Sequence, residues 1–152
     1  MKYTIAIITL TGAAALGTIR PALHAQDAPA AQTQLSKSVW DGVYTADQAK
    51  RGRALFTDQC ASCHGPDMNG GEMAPPLAGS AFLSNWDGET AGSLEERIRI
   101  TMPQGAEGTL SRQQVVDIVA SILAANDAPA GDTELPKELE ILKLIQITAK
   151  KP

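Results

Sequence analysis

The segment Cys60-Ala61-Ser62-Cys63-His64 decides how this chain is read. Two thiols three positions apart lie on one face of a single helical turn, so both can meet the two vinyl groups along one edge of a haem. The imidazole that follows can then swing under the ring and bind iron through one nitrogen. Three other uses of such a pair compete. A dithiol exchanging electrons by disulfide chemistry calls for a surrounding βαβ pattern, and no such strand pattern is found. A structural zinc site needs about four Cys or His ligands. The chain has two cysteines and two histidines, and His24 falls in an N-terminal segment that reads as removable. The third use is a plain disulfide. None of the three requires the adjacent histidine, so the motif implies one covalently attached haem c, with Cys60 and Cys63 as thioether sites and His64 on the iron.

With His24 set aside, a second axial imidazole cannot come from this chain, and methionine is the natural sixth ligand. Met68, Met73 and Met102 are the candidates outside the leader. Four residues of extended chain reach at most about 14 Å, too little to carry Met68 from His64 round the edge of the ring. Met73 would need a nearly straight approach, which its glycine-rich surroundings do not suggest. Met102 has ample loop before it, and Pro103 stiffens the segment that presents its sulfur. A His64/Met102 pair fills both axial positions and suits electron transfer rather than catalysis at the iron. No nucleophile, general base or further metal cluster stands out. The alternative is a haem-based sensor or peroxidase-like enzyme with an open or labile sixth site, and Met102 is the residue that separates the two.

Residues 1–25 carry Lys2, an apolar run from Ile5 to about Gly17, and small residues up to Ala25, the form of a secretory signal peptide. The run is shorter than the roughly 20 residues of a bilayer span. Export fits the motif and implies a periplasmic protein without stable membrane insertion. Removing this segment takes away Lys2 and Arg20 and no acidic residue, so the net charge goes from −4 to −6. An acidic domain excludes nucleic acid as the expected partner and favours docking by charge complementarity with a redox protein. Aromatic residues make up only 4% of the chain, so a haem would itself supply much of the core.

The remaining chain divides into a flexible segment over 26–38, a haem domain over 39–126 and a C-terminal extension over 127–152. Thr45 to Gln48 has the form of a capping box, which predicts a helix to about Thr57 with Ala49, Leu55 and Phe56 on its buried side. Gly52 in its middle implies close approach of another helix. From Gly65 to Gly92 no helical or strand period survives, and a long cofactor-wrapping loop is expected. In it, a carbonyl near Pro75 is placed to accept the free N–H of His64, and Leu77, Phe82 and Trp86 are candidates to line the haem edge, Phe82 reading equally well as ordinary core and Trp86 alternatively as a donor to a propionate through its indole N–H. A second capping box, Ser93 to Glu96, opens a helix to about Ile100. A third, Ser111 to Gln114, opens one to about Ala125 that is expected to cross the first at Gly52. Leu135, Leu139, Leu142 and Ile145 mark a possible short helix, folded back on the domain or free to bind a partner.

With Cys60-Ala61-Ser62-Cys63-His64, a proline- and glycine-rich loop, Met102-Pro103 and a terminal helix in view, the chain resembles the class I cytochromes c from about Val39 to Ala125. The resemblance implies an all-α cytochrome c fold of three to five helices around one haem. It also implies Cys60 and Cys63 as attachment sites, His64 and Met102 as axial ligands, Pro75 as carbonyl partner of His64, and Gly52 with Phe56 as the first-helix contact pair. Ser121 stands where the family's last helix often carries an aromatic. The runs Ser38 to Tyr44, Gly70 to Met73 and Thr101 to Gln104 are similar to small periplasmic cytochromes associated with quinoprotein dehydrogenases. That likeness implies a quinoprotein dehydrogenase as electron donor and a terminal oxidase as acceptor.

Overall fold

Thr45, extended at φ −95° and ψ 153°, ends the preceding turn and accepts a hydrogen bond from the Gln48 N–H, which starts helix α1 (Ala46–Gln59). The reciprocal half of the expected capping box is not made. Gln48 is fully buried instead, its amide accepting from the Leu135 N–H at 2.7 Å and donating to the Leu135 carbonyl at 3.0 Å. The computed structural model describes residues 36–151. The signal-peptide reading of 1–25 and most of the 26–38 segment lie outside them.

The buried line along α1 is Gln48, Gly52 and Phe56, one residue per turn, with Ala49 and Leu55 half-buried beside it. This line faces α5 (Arg112–Ala125), which is capped by Ser111 and Gln114 with both bonds of the capping box present. At the crossing, a Cβ on Gly52 would stand 1.6 Å from the Asp117 carbonyl oxygen. Glycine is therefore the one residue that lets the two backbones touch.

A single-turn helix, α2 (Ala61–His64), follows α1 directly, and an irregular segment runs from Gly65 to Gly79. The expectation of one loop from Gly65 to Gly92 is corrected here. Ser80–Trp86 form helix α3, with Phe82 and Trp86 one turn apart and their ring centroids 6.0 Å from each other. A helix of seven residues, set between Gly79 and Gly88, is too short for a helical period to stand out. Helix α4 (Ala91–Thr101) also begins earlier than the second capping box implied, because Thr90 is its N-cap and accepts from the Ser93 N–H. Gly92 looked like a breaker but lies inside the helix, where it lets the chain's last segment pack close.

That last segment folds back. Its short helix α6 (Leu139–Leu142) leads to strand β2 (Ile145–Gln146), which pairs in parallel with β1 (Lys37–Ser38), Lys37 opposite Ile145 and Ser38 opposite Gln146. Lys37 and Ser38 are thus strand-paired, correcting the flexible assignment for those residues. Leu135, Leu142, Ile145 and Ile147 are buried and join the same core as Phe56, Leu94, Ile118 and Ile122. Among the described residues, four helices are longer than one turn, and no helix is long and apolar enough to cross a membrane.

Glu95 of α4 is fully buried, with Arg112 at 3.5 Å and Arg99 at 3.7 Å from its Oε1. Neither contact has hydrogen-bond geometry, and both carboxylate oxygens lack a hydrogen-bond partner. Burial therefore outweighs the two arginines and raises the carboxyl pKa above its ordinary value. The folded protein then holds this proton to higher pH than the unfolded chain. Its contribution to stability is complete below the ordinary carboxyl range and is lost as pH rises through the raised value.

Two outcomes are expected. Gly52→Ala should cost about 3 kcal/mol or more in denaturant unfolding, because the backbone of α5 has to move away. In Glu95→Gln the decline of stability as pH rises above the ordinary carboxyl range should be shallower than in the parent, as read from denaturation midpoints across a pH series.

Candidate functional site

Cys60 is at once the last residue of the α1 cap and the start of α2, its N–H donating to the Phe56 carbonyl. Its own carbonyl accepts from the N–H groups of Cys63 (3.1 Å) and His64 (3.0 Å). This turn is tight enough to put Cys60, Cys63 and His64 along one wall of a single cavity of about 730 Å³. The two sulfurs are not bridged. Burial, reinforced by the neighbouring Cys63, pushes the Cys60 thiol up to about 11. A redox dithiol needs the opposite shift, toward an accessible thiolate.

His64 is buried, and its Nδ1 lies 2.9 Å from the Pro75 carbonyl oxygen. With Nδ1 as donor to that carbonyl, Nε2 is left with its lone pair for a metal. The loop that delivers Pro75 is itself closed on the motif. Gly70 donates to the His64 carbonyl at 2.9 Å, and its backbone, at φ +76°, comes so near Pro75 and Pro76 that a Cβ would sit 2.6 Å from the Pro76 nitrogen. Only glycine fits there.

Met102 borders the same cavity, as the residue that caps the C-terminus of α4 with its N–H on the Ile98 carbonyl. Pro75, Leu77 and Trp86 also line it, together with Phe56, Leu94, Ile98, Ile118 and Ile122. Phe82 does not. It lies in the core behind Trp86 and belongs to the packing rather than to the cavity wall. Of the other methionines, Met68 is fully buried away from the cavity, while Met73 stands on its rim and is 79% exposed. Among the described residues no cluster of three or more His, Cys, Asp or Glu side chains forms a metal site.

One supporting residue escaped the sequence reading. Asn126, just past α5, is buried and makes three hydrogen bonds: its Oδ1 accepts from the Gly79 N–H (2.9 Å), and its Nδ2 donates to the carbonyls of Leu77 (2.9 Å) and Ile122 (2.8 Å). It fastens the Leu77 wall to α5. An asparagine ending a helix is a local signal for a cap, but nothing local points to a partner 49 residues away.

A cavity of this size, with two unbridged thiols, a tautomer-fixed imidazole and a thioether on its border, fits a covalently attached haem and its two axial ligands. Residues 47–122 match the family model for cytochrome c oxidase, cbb3-type, subunit III. The chain belongs to this family of class I c-type cytochromes. Family membership implies haem c. The cytochrome is 31% identical over 100 residues to the cbb3-type cytochrome c oxidase subunit CcoP of Azospirillum brasilense, covering 53% of this chain but only 33% of that protein. It is 29% identical over 93 residues to cytochrome c-554(547) of Halothiobacillus neapolitanus, covering 59% of this chain and 88% of that one. Its fold matches a chain of the sulfane dehydrogenase SoxCD from Paracoccus pantotrophus with a TM-score of 0.50 at 27% identity, over 71% of this chain and 61% of that one. The cytochrome thus spans about a third of CcoP and under two thirds of the SoxCD chain.

Asn126→Ala should lower stability by about 1 to 2 kcal/mol in denaturant melts, since it removes a buried side chain and its hydrogen bonds to the half-buried Leu77 carbonyl and the Gly79 N–H in the wall beside Pro75.

Proposed function

We propose that this cytochrome is a periplasmic carrier of single electrons with one haem c, attached through Cys60 and Cys63 and ligated by His64 and Met102. The observation that carries the reading is that these four side chains border one cavity. When bound, the haem supplies a one-electron iron couple, whose potential His/Met ligation raises relative to stronger donors.

The chain's own residues hold and shield that group. The Pro75 carbonyl fixes the His64 tautomer and the plane of the imidazole. Phe56, Leu94, Ile98, Ile118 and Ile122 keep water from the cavity walls and lower the local dielectric, which tunes potential. The Trp86 indole N–H has no hydrogen-bond partner among the described residues and is free to meet a propionate at the cavity edge. With His64 and Met102 both holding the iron, no position on it would be left for a substrate, which favours a carrier over an enzyme.

The donor in this reading is a dehydrogenase, of the quinoprotein class by the resemblance in residues 38–44, 70–73 and 101–104, and the acceptor is a terminal oxidase. The similarity to an oxidase subunit and to a chain of a dehydrogenase complex supports a place between such systems. With an acidic net charge, docking would depend on complementary charge and weaken as salt rises.

Visible spectra of the purified protein in both redox states, with a Met102→Ala variant, test the assignment. Sharp reduced bands, haem that stays with the protein under denaturing extraction, and a weak far-red thioether-to-iron band lost on substitution are expected. A high-spin spectrum that binds carbon monoxide at once would place the protein with the sensors and peroxidases.

A further inference from the structure

We propose that the segment from Glu134 to Ala149 is a brace that positions α4, and through it the Met102 sulfur; the inference rests on Met102 being the sixth iron ligand. The residues matched to the family end at 122, well before this segment. Yet it is bound to the entry of α4 by backbone on several sides. The Ile147 N–H donates to the Glu89 carbonyl at 2.8 Å, and the Ile147 carbonyl accepts from the Gly88 N–H at 2.9 Å. Gln146 bridges antiparallel to Thr90, the N-cap of α4, and the Ala149 N–H donates to the Asp87 carboxylate at 2.7 Å. Within the first turn of the helix, a Cβ on Gly92 would meet the Lys143 backbone nitrogen at 2.9 Å and the Leu142 carbonyl carbon at 3.2 Å. Residues 87–92 are therefore held by the brace through four hydrogen-bonded or bridged positions and one close backbone contact.

The brace is in turn tied to the rest of the fold. Leu135 exchanges two hydrogen bonds with the buried Gln48 of α1. The Leu144 carbonyl accepts from the Lys37 N–H, and the Thr148 carbonyl accepts from the Trp40 indole at 3.0 Å. Leu142 and Ile147 are fully buried. From its clamped start α4 runs unbroken to Met102, presenting Leu94 and Ile98 to the cavity on the way. A helix moves as a rod, so a shift or rotation where the brace holds it is carried to the residue that caps its far end. The brace acts as a positioning element and makes no contact with the iron.

The test uses the full haem-loaded protein with Gly92→Ala, which pushes the brace off the helix, and Leu142→Ala, which loosens it from the core. Leu55→Ala on α1 serves as a stability control outside the brace. Melting temperature, covalent haem content, the far-red thioether-to-iron band, the pH at which that band is lost, and the rate of carbon monoxide binding are read together. Both brace variants should keep their covalent haem, lose the band about one pH unit earlier and bind carbon monoxide about tenfold faster, while Leu55→Ala at equal loss of melting temperature leaves these unchanged. Unchanged band loss and carbon monoxide binding in both brace variants would overturn the proposal, as would an equal shift in Leu55→Ala. A parent protein without a band that Met102→Ala removes would overturn the ligand assignment and the brace with it, and that result is visible before any brace variant is made.

Discussion

Everything in this fold hangs on a contact between two backbones, the crossing of α1 over α5 at Gly52. The contact sets the distance between the wall contributed by Phe56 and the wall contributed by Ile118 and Ile122. Because α1 runs straight into Cys60, it also sets where the attachment turn emerges. The polar groups around it follow the same arrangement. Arg51 forks onto Asp117 at 3.1 and 3.2 Å and reaches Glu134 at 2.8 Å, joining α1, α5 and the start of the final segment. Such a half-exposed network adds little energy. The steric lock does the positioning, and the charges mark its outer edge.

How much of this could be read from residues depends on the range of the interaction. Cys60, Cys63 and His64 were legible because their chemistry is a property of spacing along one turn. The starts of α1 and α5 were legible because N-caps act within three residues. Met102 was singled out from chain length and the shortage of histidines, and it lines the same cavity as Cys60, Cys63 and His64. The misses have the opposite character. Helix α3 is too short to show a period, and glycines on both sides disguised it as loop. Thr90 was passed over as a cap because Gly92 looked like the end of a loop, when it is a contact point with Lys143. Phe82 and Trp86 are one turn apart and could not be separated into core and cavity wall without the direction of the helix. Gln48 was assigned a local bond to its own cap, whereas its partner is 87 residues away.

That last case points to how the irregular parts of the molecule are held. A buried segment outside helix or sheet still has to satisfy its backbone N–H and carbonyl groups, and no ladder is available to do so. Here two buried amide side chains take over. Gln48 offers an acceptor and a donor to Leu135, standing in for a strand partner at the point where the final segment enters the core. Asn126 does the same for Leu77 and Gly79, at the end of the loop that carries Pro75 to His64. An amide suits this role because it is donor and acceptor at once and remains uncharged when buried. Glu95 shows the contrast. A carboxylate at a comparable depth finds no backbone donor, relies on two arginines outside hydrogen-bond geometry, and shifts toward its neutral form. Asn126 holds an irregular wall of the cavity, and Gln48 the entry of the final segment, because a neutral amide can meet a backbone donor and acceptor together, whereas the buried carboxyl of Glu95 is confined to a helix whose own backbone needs nothing from it.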